Sequence, residues 1–311
     1  SLIHQQGGTD TNAQINDNNF TVSLSETTDG GMTISSSFKL MDEDAAPGDR
    51  DAGFTLAFTD GSKLDVFNAG NASGSHAISV PSSAGAEGVS TASANQAQTD
   101  LDFATDSTVL GIEYHTAADF IADGLKMSFS ASTDNGAAAI GTYKTDSHFA
   151  LGATYVSTVG DSTVTLGGGY SQAEGSKTST AVVNDTGGFH VGLSAVTGDL
   201  TVAVGFADGH KTGTLTDSST ELEGDVVKAG IKYVSGSLTF NVGVASADAK
   251  DNTIGSSGGS DDAKDETSAS VSYAVASGVT AILGYTTLEA SNEGASSTDG
   301  SAWYIGANMA F

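Results

Sequence analysis

Hydrophobic residues alternate with small or polar residues along the whole chain. The stretch Leu200, Val202, Val204 and Phe206, separated by Thr, Ala and Gly, is a clear example. A period of two places successive side chains on opposite faces of a β-strand. A convincing helical period of 3.6 is absent outside turns predicted within residues 70–106. The pattern therefore predicts an all-β fold.

The alternating segments predict about sixteen strands, whose connections alternate in length. The strands are 1–6, 19–26, 31–40, 52–59, 62–69, 107–115, 124–133, 146–156, 162–172, 187–196, 199–207, 224–234, 236–246, 267–275, 279–288 and 301–311. Tight Gly/Asp turns alternate with the long connections 7–18, 41–51, 70–106, 134–145, 173–186, 208–223, 247–266 and 289–299. This arrangement predicts an antiparallel up-and-down β-barrel in a single domain, 1–311. The short first strand suggests that the natural N-terminus lies slightly upstream.

The second face of each predicted strand is hydrophilic but almost uncharged. A soluble β-sandwich would instead carry a charged outer face. Only Glu26 and Asp225 share a strand face with apolar neighbours. A charge-free apolar face is expected against lipid, because a Lys or Arg at the bilayer midplane costs about 2–4 kcal/mol. The pattern favours a transmembrane barrel; a soluble surface-layer protein or adhesin is the alternative.

Small residues on the polar face predict an interior that side chains do not fill, as in barrels of this size. The residues expected to leave the lumen open are Ser128, Ser130, Gly152, Gly167, Gly169, Gly192, Gly205, Gly243, Ser270 and Ser272. The predicted barrel therefore encloses water.

Composition excludes several classes of protein. The chain has 38 acids, 11 bases and a net charge of −27, with Arg50 as its single arginine. That balance excludes nucleic acid as a partner. The absence of cysteine excludes disulfides and thiolate chemistry, and no apolar run is long enough for a transmembrane helix. With the predicted boundaries, 27 of the 38 acids lie in the long connections, so one rim is strongly acidic.

No motif indicates an enzyme. Residues 255–259 match the hydrolase pattern G-x-S-x-G, but they lack the preceding strand and following helix that this motif requires. The six histidines lack metalloprotease spacing. Three of them, His115, His148 and His190, are predicted to face the lumen as titratable pore residues. We therefore expect no catalytic residue and no required cofactor.

These features resemble the general porins of Gram-negative outer membranes, particularly the alphaproteobacterial type. The resemblance rests on the strand number, on the outsized connection 70–106 after the fifth strand, and on the terminal strand 303–311 with its C-terminal Phe311. It implies an outer-membrane homotrimer that lets small hydrophilic solutes diffuse through each lumen. It also implies that connection 70–106 constricts the lumen and that Phe311 is part of the signal read by the barrel-assembly machinery.

The residues expected at the constriction depart from those of the best-known members. Those members oppose loop acids with a cluster of wall arginines, whereas Arg50 lies in a long connection, and the loop motif Pro-Glu-Phe-Gly-Gly is absent. The acids of the predicted loop are Glu87, Asp100, Asp102 and Asp106. The bases predicted on the wall are Lys39, Lys63, Lys126, Lys228 and Lys232. The alternative is that the acids cap turns or pair with wall amides and that each lysine is merely a solvated residue of the lumen.

The acidic rim predicts a cation-selective pore, because it concentrates cations and repels anions. A substrate-specific porin for sugars or peptides is the alternative, although Phe67 and Phe103 are the few aromatic candidates for a solute track. Rim carboxylates also suit Ca²⁺ or Mg²⁺, which would bridge the rim to lipopolysaccharide. The other interpretation is a hydrated, mutually repelling rim. The candidate ligands are Asp42, Asp44, Asp49, Asp261, Asp262 and Asp265.

Overall fold

The computed structural model describes residues 2–6, 11–14, 19–42, 53–67, 71–82, 111–132, 143–177, 183–212, 220–253, 259–291 and 298–309. Seventeen β-strands and one short 3₁₀ helix follow one another along these residues. The all-β prediction is confirmed. No helix among the described residues is long and apolar enough to cross a membrane.

The strands of the N-terminal half are mostly short. They are β1 (Leu2–Gln6), β2 (Thr11–Gln14), β3 (Asn19–Thr27), β4 (Thr33–Asp42), β5 (Phe54–Ala57), β6 (Lys63–Val66), β7 (Ile112–His115) and β8 (Leu125–Ser132). The 3₁₀ helix (Gly74–His76) lies between β6 and β7 in the chain. The longer strands are β9 (Tyr143–Val159), β10 (Ser162–Lys177), β11 (Val183–Thr197), β12 (Leu200–Thr212), β13 (Thr220–Ser235), β14 (Leu238–Thr253), β15 (Gly259–Ala276), β16 (Val279–Ser291) and β17 (Thr298–Met309).

The strands form one antiparallel sheet with up-and-down order. Each strand from β3 to β16 pairs with its successor, and β1 pairs with both β17 and β2. These pairings make β2 and β3 run in the same direction, although only residues 15–18 separate them. Parallel neighbours need a connection of a dozen or more residues, so β2 and β3 are successive parts of one pass. Over the described residues the strands therefore make sixteen passes, and β1, the first strand, pairs with β17, the last.

Tight turns join the strands at one rim. Gly160, Gly198 and Gly236 occupy three of these turns with φ of 61°, 55° and 60°. This left-handed region costs glycine nothing sterically, and two-residue turns of this kind suit the twist of antiparallel strands. The short turns therefore lie where the Gly-rich dipeptides predict them.

At the opposite rim several strands continue beyond their predicted ends, although β6 ends at Val66 rather than at 69. β15 begins at Gly259 rather than at 267, and β2 lies within the predicted connection 7–18. Fourteen of the 27 acids predicted in loops consequently lie in strands. The added residues are polar and lack hydrophobic alternation. A pattern that reports lipid contact therefore does not detect strands that continue into water.

The two faces of the wall differ as predicted. On β12 and β13, Val204 and Val227 point outward and are 47% and 52% exposed, whereas Ala203 and Val226 on the inner face are buried. Exposed aromatic side chains belong to the same outer surface, as expected of residues at a membrane interface. They include Tyr155, Tyr170, Phe189, Tyr233, Phe240, Tyr273, Tyr285 and Trp303.

Candidate pore constriction

Residues 71–82, which we call the inner segment, leave the wall after β6 and lie against its inner face. Ala72 N donates a hydrogen bond to Ser130 Oγ on β8 at 3.1 Å. Further along, His190 Nε2 on β11 donates to the Ser73 carbonyl at 2.8 Å. For these residues, the predicted entry of connection 70–106 into the lumen is confirmed.

The far end of the inner segment packs on an apolar patch of the wall. Val80 contacts a buried cluster contributed by β12, β13 and β14, which consists of Ala207, Val226, Ala247 and Ala249. Burial of these side chains removes apolar surface from the water of the lumen, which stabilises the docked segment. The segment is thus held by polar contacts near its beginning and by apolar packing near its end.

Glycines on the wall provide the space that the inner segment occupies. A Cβ at Gly152 would lie 2.3 Å from the Ala72 carbonyl oxygen, and one at Gly230 would lie 1.9 Å from the Pro81 carbonyl oxygen. Both separations are far below van der Waals contact, so no side chain fits there. Comparable clashes occur at four further positions. We call the full set the glycine track: Gly152, Gly167, Gly169, Gly192, Gly230 and Gly243.

This use of small residues corrects part of the sequence interpretation. Five of the glycine-track positions were among the residues predicted to leave the lumen unfilled, as were Ser128 and Ser130. All of them instead contact the inner segment. Alternation identifies an inward residue, but it does not report what lies against that residue.

His76 fixes the middle of the inner segment. Its side chain is buried, with Nδ1 2.6 Å from Thr154 Oγ1 and Nε2 2.7 Å from Ser128 Oγ. Burial lowers the pKa of His76 to about 4, and electrostatic interaction with His115, Lys126 and His190 adds to this effect. The docked segment therefore carries a neutral imidazole at pH 7.

Two acids and a histidine meet on the wall beside the inner segment. We call Asp65, Glu113 and His115 the acid–histidine cluster. His115 Nε2 lies 3.0 Å from Asp65 Oδ2 and 3.4 Å from Glu113 Oε1, and all three side chains are buried. Lys63 Nζ donates to Asp65 Oδ2 at 3.1 Å, and Thr55 Oγ1 donates to Asp65 Oδ1. The cluster thus combines nitrogen and oxygen donor atoms in a small volume.

A cavity of ≈ 570 Å³ lies between the inner segment and the wall. Lys63 and Lys126 both line it, so the structure brings together two of the predicted wall bases. The other polar residues of its lining are Ser75, His76, His115 and Thr154, and none of the described residues that line it is Phe, Tyr or Trp. This part of the lumen is therefore basic and hydrophilic.

Among the described residues, the predicted wall bases Lys228 and Lys232 are not part of the lining of this cavity. Lys228 and Lys232 lie on β13, on the inward face shared with Gly230, which contacts Pro81. Lys39 lies in β4, and its side chain is outside the described part of the structure. Outside the described residues lie the predicted loop acids Glu87, Asp100, Asp102 and Asp106, together with Phe311.

The rim residues predicted as metal ligands have a different setting from the one expected. Asp42 is the last residue of β4, and Asp261, Asp262 and Asp265 lie in β15 rather than in a loop. Asp44 and Asp49 lie outside the described residues.

Sequence reasoning missed both the role of His76 and the acid–histidine cluster. Glu113 and His115 are two residues apart in β7, a spacing that places both on one strand face. That spacing was the available signal for the pair. Asp65 joins them only through the pairing of β6 with β7, in which Asp65 lies opposite Glu113.

Comparisons with known proteins agree with this architecture. Residues 3–293 match the family described as Gram-negative porin. No curated protein matches the chain. The fold is similar to that of Salmonella typhi OmpF, solved with daunomycin, with a TM-score of 0.65, 14% identity and coverage of 99% of this chain and 94% of that chain.

Two other solved structures are similar to the chain at comparable levels. An anion-selective porin from Comamonas acidovorans gives a TM-score of 0.64 and 12% identity, with coverage of 100% of this chain and 98% of the other. The trimer form of OmpT from Vibrio cholerae gives a TM-score of 0.61 and 13% identity, with coverage of 98% and 96%. These likenesses support the barrel fold.

Proposed function

The chain belongs to the Gram-negative porin family, and from that premise we propose that it is a cation-selective pore for passive diffusion of small hydrophilic solutes. Family membership makes it an outer-membrane channel of a Gram-negative bacterium, not an enzyme. It also favours the pore over the soluble surface-layer or adhesin alternative. The observation that carries the proposal is the inner segment, which narrows the lumen without assembling a catalytic group.

Transport by such a pore needs no chemistry. The inner segment sieves solutes by size, and the hydrophilic cavity lined by Lys63 and Lys126 offers hydrogen bonds without an aromatic solute track. Swelling of proteoliposomes in neutral sugars of increasing size tests passive diffusion. We expect rates that fall smoothly with solute size. Saturation by one sugar at low concentration would favour the substrate-specific alternative instead.

Selectivity rests on the balance between the acidic rim and the basic cavity. The fold itself does not determine whether a pore prefers cations or anions, since an anion-selective porin has a similar fold. With 38 acids against 11 bases, the acidic rim outweighs the lysines and raises the local cation concentration. We therefore expect Lys126→Gln to increase the K⁺/Cl⁻ permeability ratio. A decrease would show that the lysine does not repel cations in the permeation path.

Acids on the outer face support a contact with lipopolysaccharide through divalent cations. Asp208, Asp225 and Asp248 lie side by side on β12, β13 and β14, at the end of the outward apolar residues. Ca²⁺ or Mg²⁺ bridges such carboxylates to anionic lipid headgroups. Changing all three to Asn should lower the dependence of the melting temperature on Mg²⁺ in lipopolysaccharide-containing membranes. An unchanged dependence would exclude this row as the bridge.

A homotrimer is the assembly that fits the family, and OmpT has a trimer form. The strands β5, β6 and β7 have only four residues each, so the wall is shortest here. In this part of the wall, Ile34 and Ile112 are 41% and 52% exposed. We place the trimer contact here. Ile34→Asn should reduce the amount of trimer on unheated gels, whereas Ile231→Asn in the long strand β13 should not. Equal effects would contradict this placement.

Assembly by the barrel-assembly machinery remains a prediction from the C-terminal Phe311. Its replacement by Ser should reduce the amount of barrel in the outer membrane. Heat-modifiable migration of the inserted fraction provides the measurement, and a normal amount of folded protein would contradict the prediction.

A further inference from the structure

We propose that the acid–histidine cluster is a binding site for a divalent transition-metal ion, with His115 Nε2, Asp65 Oδ2 and Glu113 Oε1 as the protein ligands. The three donor atoms lie within 4.8 Å of one another. The site is separate from the rim carboxylates, and it goes beyond the proposed pore function because channel activity does not require it.

The geometry of the donors is suited to a single ion. The separations of 3.0 Å and 3.4 Å between Nε2 and the two carboxylate oxygens are close to those of ligands sharing one metal. With metal–ligand bonds of about 2.0–2.2 Å, an ion bound by all three atoms requires only adjustments of the side chains within strands that already hold them together. The ligands come from two paired strands, which hold them more rigidly than a loop would.

Hydrogen bonds outside the cluster orient two of its ligands. His115 Nδ1 lies 2.7 Å from Ser128 Oγ, and that hydroxyl lies 2.7 Å from His76 Nε2. When a metal occupies Nε2, the imidazole proton resides on Nδ1 and is donated to Ser128, which then donates to His76. Metal-bound histidines commonly use such an outer partner to fix their tautomer. On Asp65, the second oxygen is held by Thr55.

The inner segment also supports the third ligand. Ser75 Oγ donates a hydrogen bond to Glu113 Oε1 at 2.7 Å. A carboxylate oxygen has two lone pairs, so this oxygen can bind a metal and still accept from Ser75. A metal in the cluster would therefore be coupled to the docked position of the inner segment.

Lys63 is the group that competes with the metal. Its ammonium is 3.1 Å from Asp65 Oδ2, but its side chain is 40% exposed and lines the cavity, so it can move away. His115 lines the same cavity, which gives an ion a route from the lumen. Removing the positive charge of Lys63 should therefore tighten metal binding, an effect opposite to that of removing a ligand.

The donor set decides the chemical class of the ion. One imidazole nitrogen with two carboxylates favours Zn²⁺ and similar first-row ions over Ca²⁺, which takes oxygen ligands. Zn²⁺ is thus the probe. Excess Mg²⁺ is also present, so that sites on the rim that offer only carboxylates are already occupied.

Isothermal titration of the folded, detergent-purified protein with Zn²⁺ tests the proposal. We expect one site per chain in the wild type, weakened at least about tenfold in His115→Ala and in the near-isosteric Glu113→Gln. His210→Ala is the control, because His210 lies in β12, outside the cluster, with its Nε2 3.7 Å from Asp185 Oδ2. That variant should bind like the wild type.

The charge variant makes the test specific to this cluster. Lys63→Gln should tighten Zn²⁺ binding about threefold or more, because a nearby positive charge is removed. Heat-modifiable migration identifies folded variants, and Glu113→Gln provides the ligand test if His115→Ala does not fold. Equal binding by the wild type and the ligand variants, or weaker binding by Lys63→Gln, would overturn the proposal.

Discussion

His76 connects the inner segment to two strands of the wall through Thr154 and Ser128. Its pKa of about 4 means that docking favours the neutral ring, whereas a released ring would titrate near the usual 6.5. Since the docked form binds its proton less readily, docking is strongest above pH 6.5 and weakens as the pH falls towards 4. The residue therefore links the position of the segment to pH.

We expect open-channel current fluctuations to increase as the pH falls from 6.5 to 4, because protonation of His76 loosens the segment. His76→Gln should largely remove this increase, whereas His210→Gln, at an exposed wall position, should retain it. Single-channel recordings at fixed salt provide the measurement. An increase of the same size in His76→Gln would show that another group controls the response.

At the residue scale, the sequence identified inward positions but not their contacts. Alternation placed Lys126 and Lys63 on the inner face, and both are among the residues that line the cavity. The position of His76 could not be derived, because connection 70–106 has no period that ties its side chains to a face. Contacts between a connection and distant strands depend on how the chain folds back, which local patterning does not encode.

The strands show which parts of the fold the alternating pattern predicts and which parts it does not detect. It predicted the sixteen passes because residues that face lipid must be apolar and those that face water need not be. It underestimated β15 by eight residues, 259–266, since their sequence shows no alternation of hydrophobic residues. Hydrogen bonding to β14 continues there without a hydrophobic signal.

The glycine track gives a prediction about the position of the inner segment on the wall. In Gly230→Ala the new Cβ starts 1.9 Å from the Pro81 carbonyl oxygen, so the inner segment must shift by about 1.5 Å to reach a normal contact of 3.4 Å. The shift is towards the lumen, and single-channel conductance should fall. Gly30→Ala is the control, because its nearest atom is 3.9 Å away. Equal conductance in both variants and the wild type would contradict close contact between the inner segment and the glycine track.

The hairpin of β16 and β17 gives a second prediction at this scale. Tyr304 is 2% exposed, and its ring covers Gly284 on the neighbouring strand. Tyr304→Ala should lower the free energy of unfolding by about 3 kcal/mol, as for other buried aromatic truncations. Tyr285→Ala, on the outer face of the same hairpin, should cost less. Denaturant unfolding in lipid vesicles compares them, and the reverse order would be inconsistent with inward packing of Tyr304.

Across the whole molecule, charge and apolar surface are segregated. The outer wall carries exposed apolar side chains, such as Val204 and Ile231, and acids collect where strands extend beyond them. The lumen contains a basic cavity beside the glycine track. Ions approaching the pore therefore meet a strongly negative rim before they reach the lysines. Of the 38 acids behind the net charge of −27, 27 belong to the connections that the sequence predicts at this rim.

The composition predicted that the rim is negatively charged, but it did not predict that the cavity is basic. The sequence shows Lys63 and Lys126 in separate predicted strands, and nothing local places them in one cavity. Their proximity results from the pairing of β6 through β9 and from the inner segment that lies across those strands. Net selectivity is consequently a property of the assembled barrel.

The reversal potential of the purified wild-type protein in a KCl gradient tests the central claim most directly. A planar bilayer recording at low ionic strength gives the clearest signal, because screening is then weakest. We expect a stable open pore whose reversal potential indicates preference for K⁺. A reversal potential that indicates preference for Cl⁻, or a protein that inserts without conducting, would contradict a cation-selective pore.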